Sequence, residues 1–213
     1  VLGSFFKVVS EAWTSAGFRN IMFVVVGPPH IPEEIAQGDP SAPRIFSYVQ
    51  LNRMTEEESL SLLQRCLEGT EKHINDDAAR QITRWAQGFP YFLHQLGYDA
   101  FQADNDDVID QDDAVKGFAE SMVQLERMLF GRIYDSVAGK QKQKIVDEIS
   151  RAGNSPREAS ELQKTLRIKN IHQYFKSLQL EGVIDKTPGG YRISSDLLAV
   201  FFNLKRVGSA PNP

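Results

Sequence analysis

The stretch Trp85-Ala-Gln-Gly-Phe-Pro-Tyr-Phe-Leu-His-Gln-Leu-Gly97 holds residue types whose spacing could bind a flat, anionic ligand. Gly88 stands where the residue after a helix takes φ > 0, and Pro90, two residues on, pre-forms the first turn of a following helix. A helix beginning there turns its free N–H groups and positive dipole end outward, beside an apolar shelf of Phe89, Pro90 and Tyr91. A purine base fits such a shelf, and His94, one turn further along, is spaced to reach a phosphate. The same punctuation also closes an ordinary helical hairpin, and His94 equally suits the polar edge of a bundle. Other chemistry is excluded by what is missing. No Gly-x-x-x-x-Gly-Lys-Ser/Thr occurs: Gly139-Lys140 is followed by Gln141, with no glycine five residues earlier. The backbone cradle for a triphosphate and its Mg²⁺-binding hydroxyl are therefore lacking. No apolar strand ends in paired acids. Cys66 is the only cysteine and the four histidines are scattered, which excludes a disulfide and structural zinc and leaves Cys66 to fill a helix face. No catalytic residue and no metal ligand is expected.

A second constellation lies near the C-terminus. Lys169, Asn170, His172, Gln173 and Lys176 fall at or along the outer side of one helix, and Lys186 and Arg192 flank a turn. Such a set suits double-stranded DNA, with the helix in the major groove and the turn on phosphate; the alternative is a module that packs internally. Charge bears on the choice. The net charge is −4, yet residues 139–206 carry 13 Lys/Arg against 7 Asp/Glu and the remainder 11 against 21, a +6 module on a −10 body. With 41% hydrophobic and 24% charged residues the composition is that of a globular chain. No apolar run reaches membrane-spanning length and the first residues lack the order of a secretory signal, so a cytoplasmic protein is expected.

Periodicity gives the elements on which these residues are carried. Apolar positions from Phe5 to Ala16 predict a helix closed by Gly17. The run Ile21 to Val26 reads as a strand covered on both faces, hence part of a parallel α/β sheet, and Ile45 to Leu51 as a second strand beyond a polar loop. Two strands cannot complete such a sheet, so the chain is expected to begin partway through a domain. Thr55-Glu-Glu-Glu58 is a capping box that starts a helix to about Glu68; helices from Asn75 or Asp76 to Gln87 and from Pro90 to about 103 complete a bundle. The acidic run 104–113 reads as a solvated linker and the N-terminal turn for a long helix from Ala114 to Val137, without the calcium-binding rhythm of an EF-hand. Lys140 to Ala152, a short helix from Glu161 to Leu166 capped by Ser160, and Ile171 to Leu180 precede a hairpin around Pro188-Gly-Gly190. Three helices and a hairpin predict a winged helix, closed by a helix from Ser195 to Leu204 and a frayed end, 207–213.

In this order the chain resembles the C-terminal half of AAA+ P-loop ATPases of the STAND and prokaryotic origin-recognition-like type. Gly88-Phe89-Pro90 and Leu51-Asn-Arg-Met-Thr-Glu-Glu-Glu58 carry the resemblance most sharply. It implies a mainly α fold with small β elements: the end of a parallel α/β nucleotide-binding core (1–51), a three-helix lid (52–108), a connecting helix with a C-terminal winged helix (109–206), and a tail (207–213). It implies adenine nucleotide, ATP or ADP with Mg²⁺, held in the intact parent at Gly88, Phe89, Pro90, Tyr91 and His94. It further implies a nucleotide-dependent switch, open to oligomerisation, whose Walker motifs either lie upstream or are lost in a degenerate domain; in both cases this chain alone does not hydrolyse ATP. The departures are Gly27-Pro28, where relatives often carry a polar residue after the core strand, and the absence of arginine from helix 90–103.

Overall fold

The computed structural model describes residues 2–27, 31–153 and 155–208. It divides into two units, 1–52 and 53–213, each with its own packing. In the first, helix α1 (Leu2–Ser15) packs with α2 (Ile31–Gly38), and a 3-10 turn comes next at Ala42–Ile45. An aromatic cluster organises it: Phe6 meets Phe23 and Phe46 edge-on at 5.4 Å each, and Trp13 stacks on Phe23 at 4.6 Å. Gly3 permits the approach of α2, since a Cβ there would lie 2.0 Å from the Ile35 carbonyl.

Here the structure departs from the sequence pattern. Residues 21–26 and 46–51 form no strand and join no ladder; Val26 and Leu51 are 84% and 85% exposed. The remnant of a parallel α/β core is thus not formed among the described residues. β-branched, apolar residues favour a strand only where neighbouring backbone accepts its hydrogen bonds, and this unit supplies none. The expected polar loop instead holds α2, whose Pro32 and first-turn Glu33 and Glu34 are helix-start signals. Pro28 lies outside the described residues.

The second unit is built on one continuous core. Thr55 caps α3 (Glu56–Leu67) in a full capping box with Glu58. Strand β1 (His73–Ile74) leads into α4 (Asp76–Ala86), and α5 (Pro90–Ala103) folds back against it. The acidic run is no mere linker. Val108–Ile109 forms β2, parallel to β1, and Asp104 is buried with its carboxylate 2.6 Å from Lys72 Nζ. Asp110 then caps α6 (Gln111–Leu125) in a second capping box with Asp113, so the long helix starts three residues earlier than its apolar rhythm. It is interrupted by a π turn (Glu126–Phe130) before α7 (Gly131–Ser136). Whereas α6 packs on α5, Phe130 in the turn keeps contact with Phe92 of α5 at 5.7 Å and adds Phe201 at 5.4 Å. A π turn inserts one residue and rotates the helix beyond it.

Helices α8 (Lys140–Arg151), α9 (Ala159–Leu166) and α10 (Ile171–Leu180) come next. The N-cap of α9 is Glu158, without a side-chain cap bond, and Ser160 lies inside the first turn. Strands β3 (Ile184–Thr187) and β4 (Gly190–Ile193) form an antiparallel hairpin, with Arg157 bridged to Tyr191 at its edge. Helix α11 (Asp196–Gly208) closes the unit and carries Phe201 and Phe202 into the core. Residues 209–213 lie outside the described residues.

Candidate functional site

The corner between α4 and α5 is set by two left-handed residues, Gln87 (φ 50°) and Gly88 (φ 73°). Gly88 is required for more than its φ. A Cβ there would stand 2.3 Å from the Met54 carbonyl, and the Met54 N–H donates to the Gly88 carbonyl at 2.8 Å. Residues 53–54 therefore lie directly against the corner. Phe89 is the N-cap of α5 and Pro90 its first residue; among the described residues no side-chain or backbone acceptor meets the N–H of Tyr91 or Phe92. Those two donors sit at the positive end of a 14-residue helix, which is where an anionic oxygen is bound most favourably.

The apolar shelf beside them differs from the sequence expectation. Pro90 and Tyr91 are exposed, but Phe89 is half-buried and the Arg53 guanidinium covers its ring at 4.2 Å. His94 lies one turn along α5 from Pro90. It is exposed on the rim of an apolar groove of about 210 Å³ between α3 and α5, alongside Leu62, Cys66 and Tyr98. Cys66, expected to fill a helix face, is exposed at the same rim.

Sequence reasoning missed the two residues that tie the corner to the C-terminal hairpin. Arg53 Nη2 donates to Asp185 Oδ2 at 3.2 Å and to the Ser194 carbonyl at 2.9 Å. Gln87 makes a reciprocal pair with the first residue of α11: Nε2 donates to Asp196 Oδ2 at 2.6 Å, and the Asp196 N–H donates to Oε1 at 2.8 Å. The one available signal was Gln87 at a helix end, where a long amide can cap a neighbouring helix.

The second constellation is brought together only in part. Lys169, Asn170, His172, Gln173 and Lys176 are exposed, and Ile171, Phe175 and Leu178 turn inward. Asn170 takes φ 57° as the α10 N-cap. In the hairpin, Lys186 faces Tyr191 and Arg192 faces Asp185 across the ladder. Because side chains alternate along a strand, Lys186 and Arg192 lie on opposite faces. Arg192 is on the face of Asp185, toward Arg53; it is half-buried with Nε unpartnered. It does not share a surface with Lys186. Among the described residues no group of three or more His, Cys, Asp or Glu could hold a metal, and no helix is long and apolar enough to cross a membrane.

No family model and no curated protein matches the chain. Among solved structures it is similar to the Walker-type ATPase paby2304 of Pyrococcus abyssi, with a TM-score of 0.62 at 12% identity over 80% of this chain. The chain spans about half of that protein, 49% of its length. Thermotoga maritima RuvB, described as a Holliday junction branch migration motor, matches over 73% of this chain and 50% of its own at 20% identity. Its TM-score of 0.35 is too low to carry an argument. What the first likeness shows is the fold: this mainly helical chain is built as part of a P-loop ATPase is built.

Proposed function

We propose that the chain is the lid and winged-helix portion of an ATP-binding AAA+ ATPase of the STAND or origin-recognition-like type, acting as a nucleotide-dependent switch. In this reading residues 1–51 belong to the nucleotide-binding core, 52–108 form the lid and 109–206 the connecting helix with the winged helix. The parent is a cytoplasmic, oligomer-forming protein that supplies the phosphate-binding loop and Mg²⁺ site from another segment. Adenine nucleotide meets this chain at Gly88, Phe89, Pro90, Tyr91 and His94. The observation that carries the reading is the corner itself, where a glycine that tolerates no Cβ is succeeded by a proline-started helix with two uncapped N–H groups beside an aromatic ring.

In a protein joining this chain to its P-loop core, Pro90→Ala should weaken adenine-nucleotide binding about 3- to 10-fold while leaving the melting temperature nearly unchanged, because proline at N1 contributes preorganisation rather than a hydrogen bond. Unchanged affinity by equilibrium titration would reduce Pro90 to a helix-start signal.

One observation favours a second reading, a winged-helix DNA-binding module on a non-catalytic helical scaffold. The exposed side of α10, with Lys169, His172, Gln173 and Lys176, carries no carboxylate until Glu181. Such a face suits duplex DNA, with Asn170 and Gln173 at base edges and the lysines on phosphate.

A further inference from the structure

Arg53 opens the second unit, and three contacts define its side chain. The guanidinium lies over Phe89, while Nη2 holds Asp185 Oδ2 and the Ser194 carbonyl. Phe89 belongs to the corner; Asp185 and Ser194 belong to the hairpin and its exit toward α11. Among the described residues Arg53 is the one cation stacked on the corner and the one ion-pair partner of Asp185.

Phe89 is half-buried, and the Arg53 guanidinium covers its ring at 4.2 Å. Its other neighbours are inside the core, with Phe92 at 5.1 Å. A planar base stacked on that ring takes the space the guanidinium now fills, and a guanidinium moved off the ring carries Nη2 out of reach of Asp185 and Ser194. Stacking of a base and attachment of the hairpin through Arg53 are therefore mutually exclusive. Among the described residues both hydrogen bonds of the guanidinium use Nη2, and its remaining donors suit a phosphate oxygen.

We propose that Arg53 is a latch between the corner and the hairpin, opened when a purine nucleotide stacks on Phe89. The proposal rests on the nucleotide reading of the corner and assigns the residue by which occupancy reaches the winged helix. Opening removes the tie between the corner and the exposed face of the hairpin, which stays anchored through Ile184, Tyr191 and Ile193 in the core, while the Gln87–Asp196 pair keeps α11 in place.

Amide hydrogen exchange on the full 213-residue chain, with binding tracked by the amide shifts of Tyr91 and Phe92, tests it. Adenosine titrated to its solubility limit should speed exchange of β3 and β4 about 5-fold, the upper end for loss of one exposed ion pair. In Arg53→Ala those amides should already exchange at the faster rate and ignore adenosine, while adenosine binds the uncovered ring several-fold more tightly than it binds the wild type. Gln87→Ala should loosen the first turn of α11 and still respond to adenosine as the wild type does. Adenosine shifts at Tyr91 and Phe92 without any change in hairpin exchange overturn the latch and leave the corner reading standing. Failure of adenosine to bind even Arg53→Ala overturns both. Inorganic triphosphate reproducing the hairpin response without a base overturns the stacking mechanism, and loss of the response in Gln87→Ala moves the coupling away from Arg53.

Discussion

Gly88 is the residue on which the corner turns, through two independent constraints: a left-handed φ and a contact that leaves no room for a methyl group. Gly88→Ala should cost about 2–3 kcal/mol, combining backbone strain with separation of residues 53–54 from the corner. Urea denaturation would show this as a lower midpoint with an unchanged slope; an unshifted midpoint would mean that the Met54 backbone moves aside at no cost. Gly88 and Pro90 were legible from order alone, because only glycine and proline answer those backbone demands without help from the rest of the fold. Arg53 was not legible. Its partners lie 132 and 141 residues away in sequence, and no local pattern reports a guanidinium that bridges segments so far apart in the chain. The misplacement of Arg192 has a plainer cause: the strand period separates it from Lys186, and that alternation is readable from the hairpin's sequence alone.

Helical elements were the most legible, because α3, α4, α5, α8 and α10 each bury one face and carry their own punctuation. The pieces that went wrong depend on partners. Residues 21–26 look like a strand by composition yet find no ladder, while β1 and β2 are two-residue strands too short to leave a periodic trace. Their pairing anchors the acidic run, and with it the buried Asp104, whose Nζ–carboxylate contact with Lys72 holds its pKa down at about 2 from 3.8. Asp39 is likewise lowered to about 2, by hydrogen bonds from Ser41 and then by Lys7. A carboxylate whose pKa is depressed by folding stabilises the fold above its unfolded value near 4, and that contribution is lost as pH falls from about 4 toward 2. Carboxyl-carbon titration by NMR should therefore give Asp104 a midpoint near 2, rising in Lys72→Met; an ordinary midpoint near 4 in the wild type would mean that the ion pair does not form in solution.

For the whole molecule, the division of charge sets what each half can meet. The acidic run is tied to the helical bundle through Lys72 and β1, so it does not screen the basic side of α10 as a free tail would. With Arg192 turned away, about three phosphate contacts remain, from Lys169, Lys176 and Lys186, and log affinity for duplex DNA should fall against log salt with a slope of about −2.7. Lys186→Ala should reduce that slope by about one, whereas Arg192→Ala should leave it unchanged; no retained duplex in gel shifts at low salt would make the C-terminal helices and hairpin an internal packing module. The nucleotide corner is the more central claim, because the switch depends on it. Its most direct test is amide-shift mapping of the 213-residue chain during titration with Mg-ATP. Without a phosphate-binding loop and with Phe89 covered by Arg53, binding should be about 1 mM or weaker, with shifts concentrated at Arg53 and at residues 88–92. Micromolar binding, or shifts centred on the α3–α5 groove with the corner unmoved, would contradict it.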